Sequence, residues 1–307
     1  MDNLTHSLIG AVLGQAGLKR RTGLAMPALI IAANLPDLDA PCTVYGVQSL
    51  AMRRGITHGP IAGLLLPLAL AGLLILYDRW QARRGTRPEG RLPVRPGWLL
   101  ALCYLGWATH LLFDWFNNYG IRLLEPFSSR WFHGDTLFII DVWIWAMLGL
   151  GVWLSLRRER AGRTNWRLPA RAAAGSVAAY VLVNMAISSI TVTQMKADVP
   201  YPDMAVANAV PVAFWRRDVL WRSQDGLYGM LPCTALGCTR YPMTIRKTNM
   251  ADPRIAAWSA RNADARAFLF WSRMPVAEIT PGRIVLHDQR FMMAEGRGPF
   301  RVELKAP

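Results

Sequence analysis

The sequence lacks the short motifs that mark several common enzyme classes. It contains no HExxH, no GxSxG and no Walker A motif, so a zincin-type metalloprotease, a serine hydrolase and a P-loop enzyme have no support. Only four cysteines are present and none is arranged as CxxC, which excludes a zinc ribbon. No basic stretch precedes the first apolar residues, so a cleaved signal peptide is not expected.

Apolar residues, in contrast, are abundant. They make up 52% of the 307 residues, and the mean hydropathy is +0.18. Four runs are about 18–20 residues long, which is the length that crosses a hydrocarbon core. They are residues 60–77, 98–116, 137–156 and 172–190. With two shorter helices predicted at 4–18 and 24–35, they indicate an α-helical polytopic membrane protein with about six membrane-embedded helices.

The positions of the basic residues predict the orientation. Arginines cluster in the loops 78–97 and 157–171, and basic residues also fill the turn 19–21. All three should be cytoplasmic by the positive-inside rule. This topology accounts for much of the net charge of +15. A nucleic-acid partner is not expected, because the arginines lie in short loops rather than along one soluble domain with interleaved aromatics.

The composition changes near residue 191, so two domains are predicted. Residues 1–192 would form the helical membrane domain, and residues 193–307 a small periplasmic α+β domain. In the second domain we expect a helical stretch at 252–271 and strands at 210–221, 227–231, 283–286 and 300–304. A disulfide between Cys233 and Cys238 is slightly favoured over two free thiols. His287 is interpreted as a surface or structural residue.

His110 and Asp114 form the strongest candidate site. They lie four residues apart in an apolar run, so a helix places both side chains on one face. A carboxylate buried there requires a partner or a cation. On the predicted topology, other imidazoles and carboxylates converge on the same outer face. These are Asp2, His6, Asp37, Asp39, His58 and Asp141.

Imidazole with carboxylate is the ligand set of Zn²⁺, Mn²⁺ or Fe²⁺ hydrolytic sites. The spacing of Asp37 and Asp39 would allow a carboxylate to bridge two cations. Each residue also has a structural interpretation, since a buried His is usually hydrogen-bonded, Asp37 can cap a turn, and Asp141 can cap a helix.

Basic residues on the predicted outer face are candidates for substrate binding. Arg53 and Arg54 stand against the topological trend, so they can hold an anionic substrate, or else contact lipid headgroups. Arg130, in the loop after residue 117, can also meet an anion.

Several blocks, taken together and in order, resemble the YdjM-type family of membrane-bound, metal-dependent hydrolases. The blocks are MDNLTHSLIGA, NLPDLD, RRGITHG, THLLFDWFNNYGIRLLEPFS with IID after it, and the distal FLFWSRMP and HDQRF. The family is thought to be distantly similar to zinc-dependent phospholipase C and P1-type nucleases. The resemblance implies a helical membrane core with a metal site on its outer face. Carried over by position, the implied ligands are His6, Asp37, Asp39, His58, His110, Asp114 and Asp141.

The expectation is therefore an inner-membrane, multi-pass, metal-dependent hydrolase. It would act at the periplasmic face on a phosphoester of a lipid or lipid-linked substrate. Zinc is the first choice of metal, with manganese or iron as alternatives. Asp39, His110 and Asp114 are assigned the catalytic role. The alternative is a non-enzymatic membrane scaffold or regulator, in which the same His and Asp residues are structural.

Overall fold

A computed structural model of the chain describes residues 1–199, 202–239, 245–292 and 300–305. The chain divides into two compact units. The first comprises Met1–Leu38 and Arg54–Val183, and the second comprises Asp39–Arg53 and Asn184–Pro307. Residues 39–53 are thus grouped with the C-terminal part of the chain, whereas the residues directly before and after them belong to the first unit. The predicted division at residue 192, between a membrane part and a periplasmic part, stays a prediction.

Helices dominate the first unit, and strands dominate the second. In chain order the helices are α1 (Asn3–Gln15), α2 (Ala25–Ala32), α3 (Ser49–Met52), α4 (Pro60–Arg83), α5 (Pro96–Trp115), α6 (Val142–Arg160), α7 (Leu168–Asp198), α8 (Pro253–Ser259) and α9 (Ala263–Trp271). The strands are β1 (Pro202–Ala209), β2 (Arg216–Ser223), β3 (Leu227–Thr234), β4 (Gly237–Cys238), β5 (Arg246–Lys247), β6 (Pro275–Thr280), β7 (Arg283–Asp288) and β8 (Arg301–Lys305).

Local sequence explains where the helices of the first unit begin. Asp2 caps α1 by accepting the Thr5 backbone N–H at 3.0 Å. Proline occupies the first turn of both α4 and α5, where its missing N–H costs nothing. Helix α2 packs against α1 and α5, α4 packs on α5, and α6 packs on α1. The predicted N-terminal pair of short helices joined by a basic turn is confirmed.

Three helices of the described chain are long and apolar enough to cross a membrane. They are Pro60–Arg83, Pro96–Trp115 and Leu168–Asp198. Large apolar side chains of α4 point away from the protein, and Leu64 and Leu73 are 61% and 64% exposed. An exposed row of leucines on such a helix fits contact with lipid.

The run 137–156 does not form a fourth candidate of this kind. Its helix, α6, begins only at Val142, because Asp141 caps it through the backbone N–H groups of Trp143 and Ile144 at 3.0 and 3.1 Å. Charged residues start at Arg157, so 15 uncharged helical residues (142–156) remain. At 1.5 Å per residue these span about 22 Å, which is less than the hydrocarbon core of about 30 Å.

The second unit contains two antiparallel sheets. One has the strand order β1-β2-β3-β4, with β5 also paired to β3, and the other has the order β6-β7-β8. In the first sheet Val219 lies opposite Leu231, and both side chains are buried with Met195 and Trp221. The unit is therefore β-rich, and α8 and α9 confirm the helices predicted at 252–271.

The strand predictions were partly wrong. β1 and β6 were not predicted, and β2 begins at Arg216 rather than at residue 210. β1 has an irregular burial pattern in place of strict alternation, so its sequence lacks a period of two. Cys233 and Cys238 lie opposite each other on β3 and β4 and form a disulfide, as the sequence favoured.

Asp288 organises the turn that follows β7. Its carboxylate accepts hydrogen bonds from Ser272 Oγ at 2.6 Å, the Arg273 N–H at 3.0 Å and the Arg290 guanidinium at 2.9 Å. Burial opposes the charge on Asp288, but the charge and hydrogen bonds of Arg290 outweigh burial, so the pKa of this carboxyl lies below its usual value.

We expect this carboxylate to make the second unit acid-sensitive. Since the pKa is lower in the folded than in the unfolded state, the stabilisation is complete above the unfolded value of about 3.9 and is lost as the pH falls through the folded value. Unfolding of the full-length protein in detergent, followed from neutral pH to about pH 3, should show stability falling in this range. Compared with the wild type, Asp288→Asn should lose less stability as the pH falls. Asp225→Asn should lose as much as the wild type, since Asp225 is exposed. Equal slopes in all three proteins would contradict the assignment.

Candidate metal centre

Four potential metal ligands meet in the first unit. Asp37, His58, His110 and Asp114 each offer a ligand atom, and these atoms all lie within 4.8 Å of one another. His110 and Asp114 come from α5, His58 ends a short helical turn (Ile56–His58) before α4, and Asp37 follows α2. His58, His110 and Asp114 have no exposed surface. Residues more than fifty positions apart in sequence therefore share one buried site.

The carboxylate of Asp114 is the centre of the cluster. The Nε2 atoms of His58 and His110 each lie 3.4 Å from its Oδ2 atom, and the two Nε2 atoms are 3.3 Å apart. His6, on α1, places its Nε2 atom 3.4 Å from Oδ1 and stacks on the His110 ring with centroids 3.9 Å apart. The predicted contact between His110 and Asp114 one helical turn apart is present.

The tautomer of His110 follows from its second contact. Its Nδ1 atom lies 2.7 Å from the carbonyl oxygen of Ala33, which can only accept a hydrogen bond. Nδ1 therefore carries the proton, and in the neutral ring Nε2 presents a lone pair toward Asp114 and His58. A lone pair facing a carboxylate is repulsive, so this arrangement favours a cation between the groups.

Arg54 supplies positive charge beside Asp114. Its Nε and Nη2 atoms lie 3.2 Å from the two carboxylate oxygens, and the amino group of Met1 also contacts Oδ1. Nη1 donates to Asn117 Oδ1 at 3.0 Å, and the guanidinium lies 4.7 Å from the ring centre of Tyr119. Arg54 is thus part of the site, while its predicted contact with a substrate anion stays a prediction.

Several predicted site residues have other contacts. Asp141 caps α6 and accepts a hydrogen bond from Tyr180 Oη at 3.0 Å. Asp2 caps α1 and lies 3.3 Å from Trp145 Nε1. Both lie outside the four-residue group. For Asp141, the contact matches the capping interpretation that the sequence left open; the capping role of Asp2 was not predicted.

Three more of the predicted residues also fall outside the group. Asp39 and Arg53 belong to the second unit, where their side chains lie 3.7 Å apart. Arg130 is exposed, with its guanidinium 5.3 Å from the ring centre of Phe132. Their proposed catalytic and substrate-binding roles stay predictions.

The sequence reasoning missed two contributors to the site. Asn117 is fully buried, receives the Arg54 guanidinium, and has no hydrogen-bond partner for its Nδ2 atom. An asparagine directly after an apolar helix was the available signal. The carbonyl of Ala33, which orients His110, is a backbone group. Its role therefore cannot be predicted from the type of residue at that position.

Close packing of α5 on α2 holds this carbonyl against His110. A Cβ atom added at Gly106 would lie 2.7 Å from Ala32 Cβ and 2.8 Å from the Leu29 carbonyl oxygen. We expect Gly106→Ala to force the helices apart, lengthen the contact between Ala33 and His110, and destabilise the protein by about 1–3 kcal/mol. Thermal unfolding in detergent measures the loss.

Gly72 provides the matched control, since it lies in α4 and an added Cβ would meet nothing within 4 Å. Gly72→Ala should be neutral or stabilising by up to about 1 kcal/mol. If both variants had the same stability, the close contact of α5 with α2 at Gly106 would not contribute to the stability of the protein.

Comparison with known families decides where this chain belongs. The profile of the family described as YdjM inner membrane protein matches residues 1–191, which include every member of the cluster. The chain belongs to the YdjM family. Searches of curated proteins and of solved structures find no significant match. YdjM is a family of inner membrane proteins, which agrees with the three candidate membrane helices. The distal blocks FLFWSRMP and HDQRF lie beyond the matched residues, so their part of the resemblance stays a prediction.

Proposed function

We propose that this YdjM-family protein is a metal-dependent hydrolase of the inner membrane that cleaves a phosphoester of a lipid or lipid-linked substrate at the periplasmic face. The observation that supports it best is the buried convergence of His58, His110 and Asp114, whose nitrogen and oxygen ligand atoms lie within 4.8 Å of one another. Such a set is costly to bury unless a positive ion shares it.

The donors fit a divalent transition metal. Two imidazoles and two carboxylates are the ligand types that zinc prefers in hydrolytic sites, and manganese and iron accept them too. Some buried atoms of the cluster make no hydrogen bond of normal geometry: both ring nitrogens of His6, and Oδ2 of Asp114, whose Oδ1 does accept from Arg54. Unsatisfied buried polar atoms of this kind mark a place where a ligand is expected.

Each residue of the site has a separate role in this proposal. His58, His110, Asp114 and Asp37 hold the ion, and the Ala33 carbonyl keeps Nε2 of His110 free to do so. Arg54 offsets negative charge beside Asp114. A divalent cation held there would supply Lewis acidity and would lower the pKa of water to about 7, the chemistry needed for hydrolysis at neutral pH.

The remaining parts of the proposal concern topology. We propose about six membrane-embedded helices, with the shorter α1, α2 and α6 shielded by the three longer candidates. The arginine-rich loops would be cytoplasmic and the C-terminal domain periplasmic. The disulfide between Cys233 and Cys238 supports an oxidising compartment for that domain.

Metal analysis combined with phosphoester hydrolysis tests the function. Protein purified in detergent should retain a transition metal and hydrolyse a phospholipid, and His110→Ala should lose both. Asp2→Asn is the control, since Asp2 caps α1 outside the group. Absence of bound metal together with unchanged activity in His110→Ala would remove the proposal. A folded, metal-free and inactive wild-type protein would favour the scaffold or regulator instead.

A further inference from the structure

The second unit contains a cleft that the proposed hydrolase function does not use. Its volume is about 480 Å³, within the range of small-molecule sites. The cleft lies where β5 and the strands β6 and β7 approach each other, and the Ala277 N–H donates to the Thr248 carbonyl at 2.8 Å. Its polar lining comprises Tyr228, Arg246, Lys247, Asn249, Glu278 and His287.

His287 is the residue that distinguishes this cleft from an ordinary surface groove. The sequence left it as a surface or structural residue, and with 4% exposure it is not a surface residue. Neither of its ring nitrogens has a hydrogen-bond partner, and the nearest acid, Glu278, lies 3.8 Å away. Leaving a buried donor or acceptor unmet costs about 1–3 kcal/mol. A buried imidazole that lines a cleft and makes no hydrogen bond therefore favours a ligand that accepts one there.

The charges around His287 select the class of ligand. Arg246 and Lys247 line the cleft and are exposed, and Arg301 lies opposite His287 in the register of β7 and β8. Glu278 is the acid of the described lining, and it is itself 71% exposed. The balance is positive, so an anion is favoured over a cation.

A metal ion fits this cleft less well. Within the described part of the chain, groups of three or more His, Cys, Asp or Glu ligands were found only around Asp114. His287 and Glu278 would provide two ligands, whereas zinc sites usually have three or four. Arginine and imidazole N–H donors suit a phosphate group, which accepts several charge-assisted hydrogen bonds at once.

We propose that this cleft binds a phosphate group, with His287 donating from the inner end and Arg246 and Lys247 neutralising its charge. The same chemistry serves inorganic phosphate and the phosphate of a lipid headgroup. The inference does not depend on the metal centre, because all its residues belong to the second unit.

The test follows the His287 ring by NMR in the full-length, histidine-labelled protein in detergent. His287→Gln assigns the signal, and inorganic phosphate is added at constant ionic strength. A saturable shift is expected. Arg246→Gln should weaken the apparent affinity about tenfold, as the loss of one charge-assisted hydrogen bond implies. Arg216→Gln is the matched control, because Arg216 is exposed, pairs with Asp218 and does not line the cleft.

A second arm identifies the source of the phosphate. The same signal is recorded in nanodiscs of phosphatidylcholine with and without phosphatidic acid. A shift with inorganic phosphate supports a soluble ligand, and a shift only with phosphatidic acid supports a lipid headgroup. The proposal is overturned if neither probe shifts His287, or if Arg246→Gln and Arg216→Gln bind alike. Unchanged thermal unfolding of Arg246→Gln confirms that the variant is folded.

Discussion

Asp114→Asn should abolish metal binding by this YdjM-family protein. Asp114 contacts His6, His58 and His110, so its carboxylate is the one group common to all the imidazoles of the site. Substituting a residue that only orients a ligand costs about 10–100-fold in affinity, and loss of a ligand should cost more than about 100-fold. Metal content after dialysis and phospholipid hydrolysis measure the effect.

The same substitution should also destabilise the protein. Arg54 is buried, with only 3% of the residue exposed. The substitution leaves its guanidinium without the carboxylate partner. Breaking a buried ion pair by removing one side costs about 3–5 kcal/mol. A fall in activity alone would therefore not separate a ligand from a structural residue.

A double variant makes that separation. Arg54→Met combined with Asp114→Asn removes both charges, so much of the lost stability should return. Metal binding should not return, because the ligand is still absent. If the double variant bound metal as well as the wild type does, Asp114 would be a structural residue and the metal centre would be wrong.

Asp141→Asn tests the remaining predicted carboxylate ligand of the first unit. Because Asp141 caps α6 and lies outside the group, the variant should keep its metal and lose about 1 kcal/mol of stability or less. Loss of metal from a folded Asp141→Asn protein would restore Asp141 as a ligand.

The centre of the site could be predicted from sequence because the relevant signals are local and strong. Two polar residues one helical turn apart in an apolar run require a shared partner, and this identified His110 and Asp114. Grouping His58 and Asp37 with them required a topology, which the arginine-rich loops provided. The structure places these four residues together.

Other assignments depend on neighbours that the sequence does not reveal. A carboxylate before a helix can cap it or bind a metal, and only the Trp143 and Ile144 N–H groups showed that Asp141 caps. Asp39 is two residues from Asp37, yet the structure assigns it to the other unit. The burial of His287 depends on pairing among β6, β7 and β8, which no local pattern specifies.

Replacing Arg217 should have the largest effect on the stability of the second unit. This arginine of β2 is fully buried. Its guanidinium donates to Ser188 Oγ at 2.9 Å, to Asn184 Oδ1 at 2.8 Å and to the Phe214 carbonyl at 2.8 Å. Arg217→Met would remove this donor from the buried residues Ser188 and Asn184, at about 1–3 kcal/mol each before relaxation. We expect a net loss of about 3–5 kcal/mol, or a fall of roughly 10 °C in Tm.

Two substitutions test whether stability depends on the ability of the guanidinium to donate to several acceptors at once. Arg217→Lys keeps the charge but cannot serve acceptors on α7 and in the turn before β2 simultaneously, so its stability should lie between those of the wild type and Arg217→Met. Arg216→Met changes the exposed neighbour on the same strand and should stay within about 0.5 kcal/mol of the wild type. Hydrogen exchange of the β2 amides should accelerate only in the Arg217 variants. Equal exchange in Arg216→Met and Arg217→Met would mean that strand pairing, and not the buried guanidinium, fixes the end of α7 to the sheet.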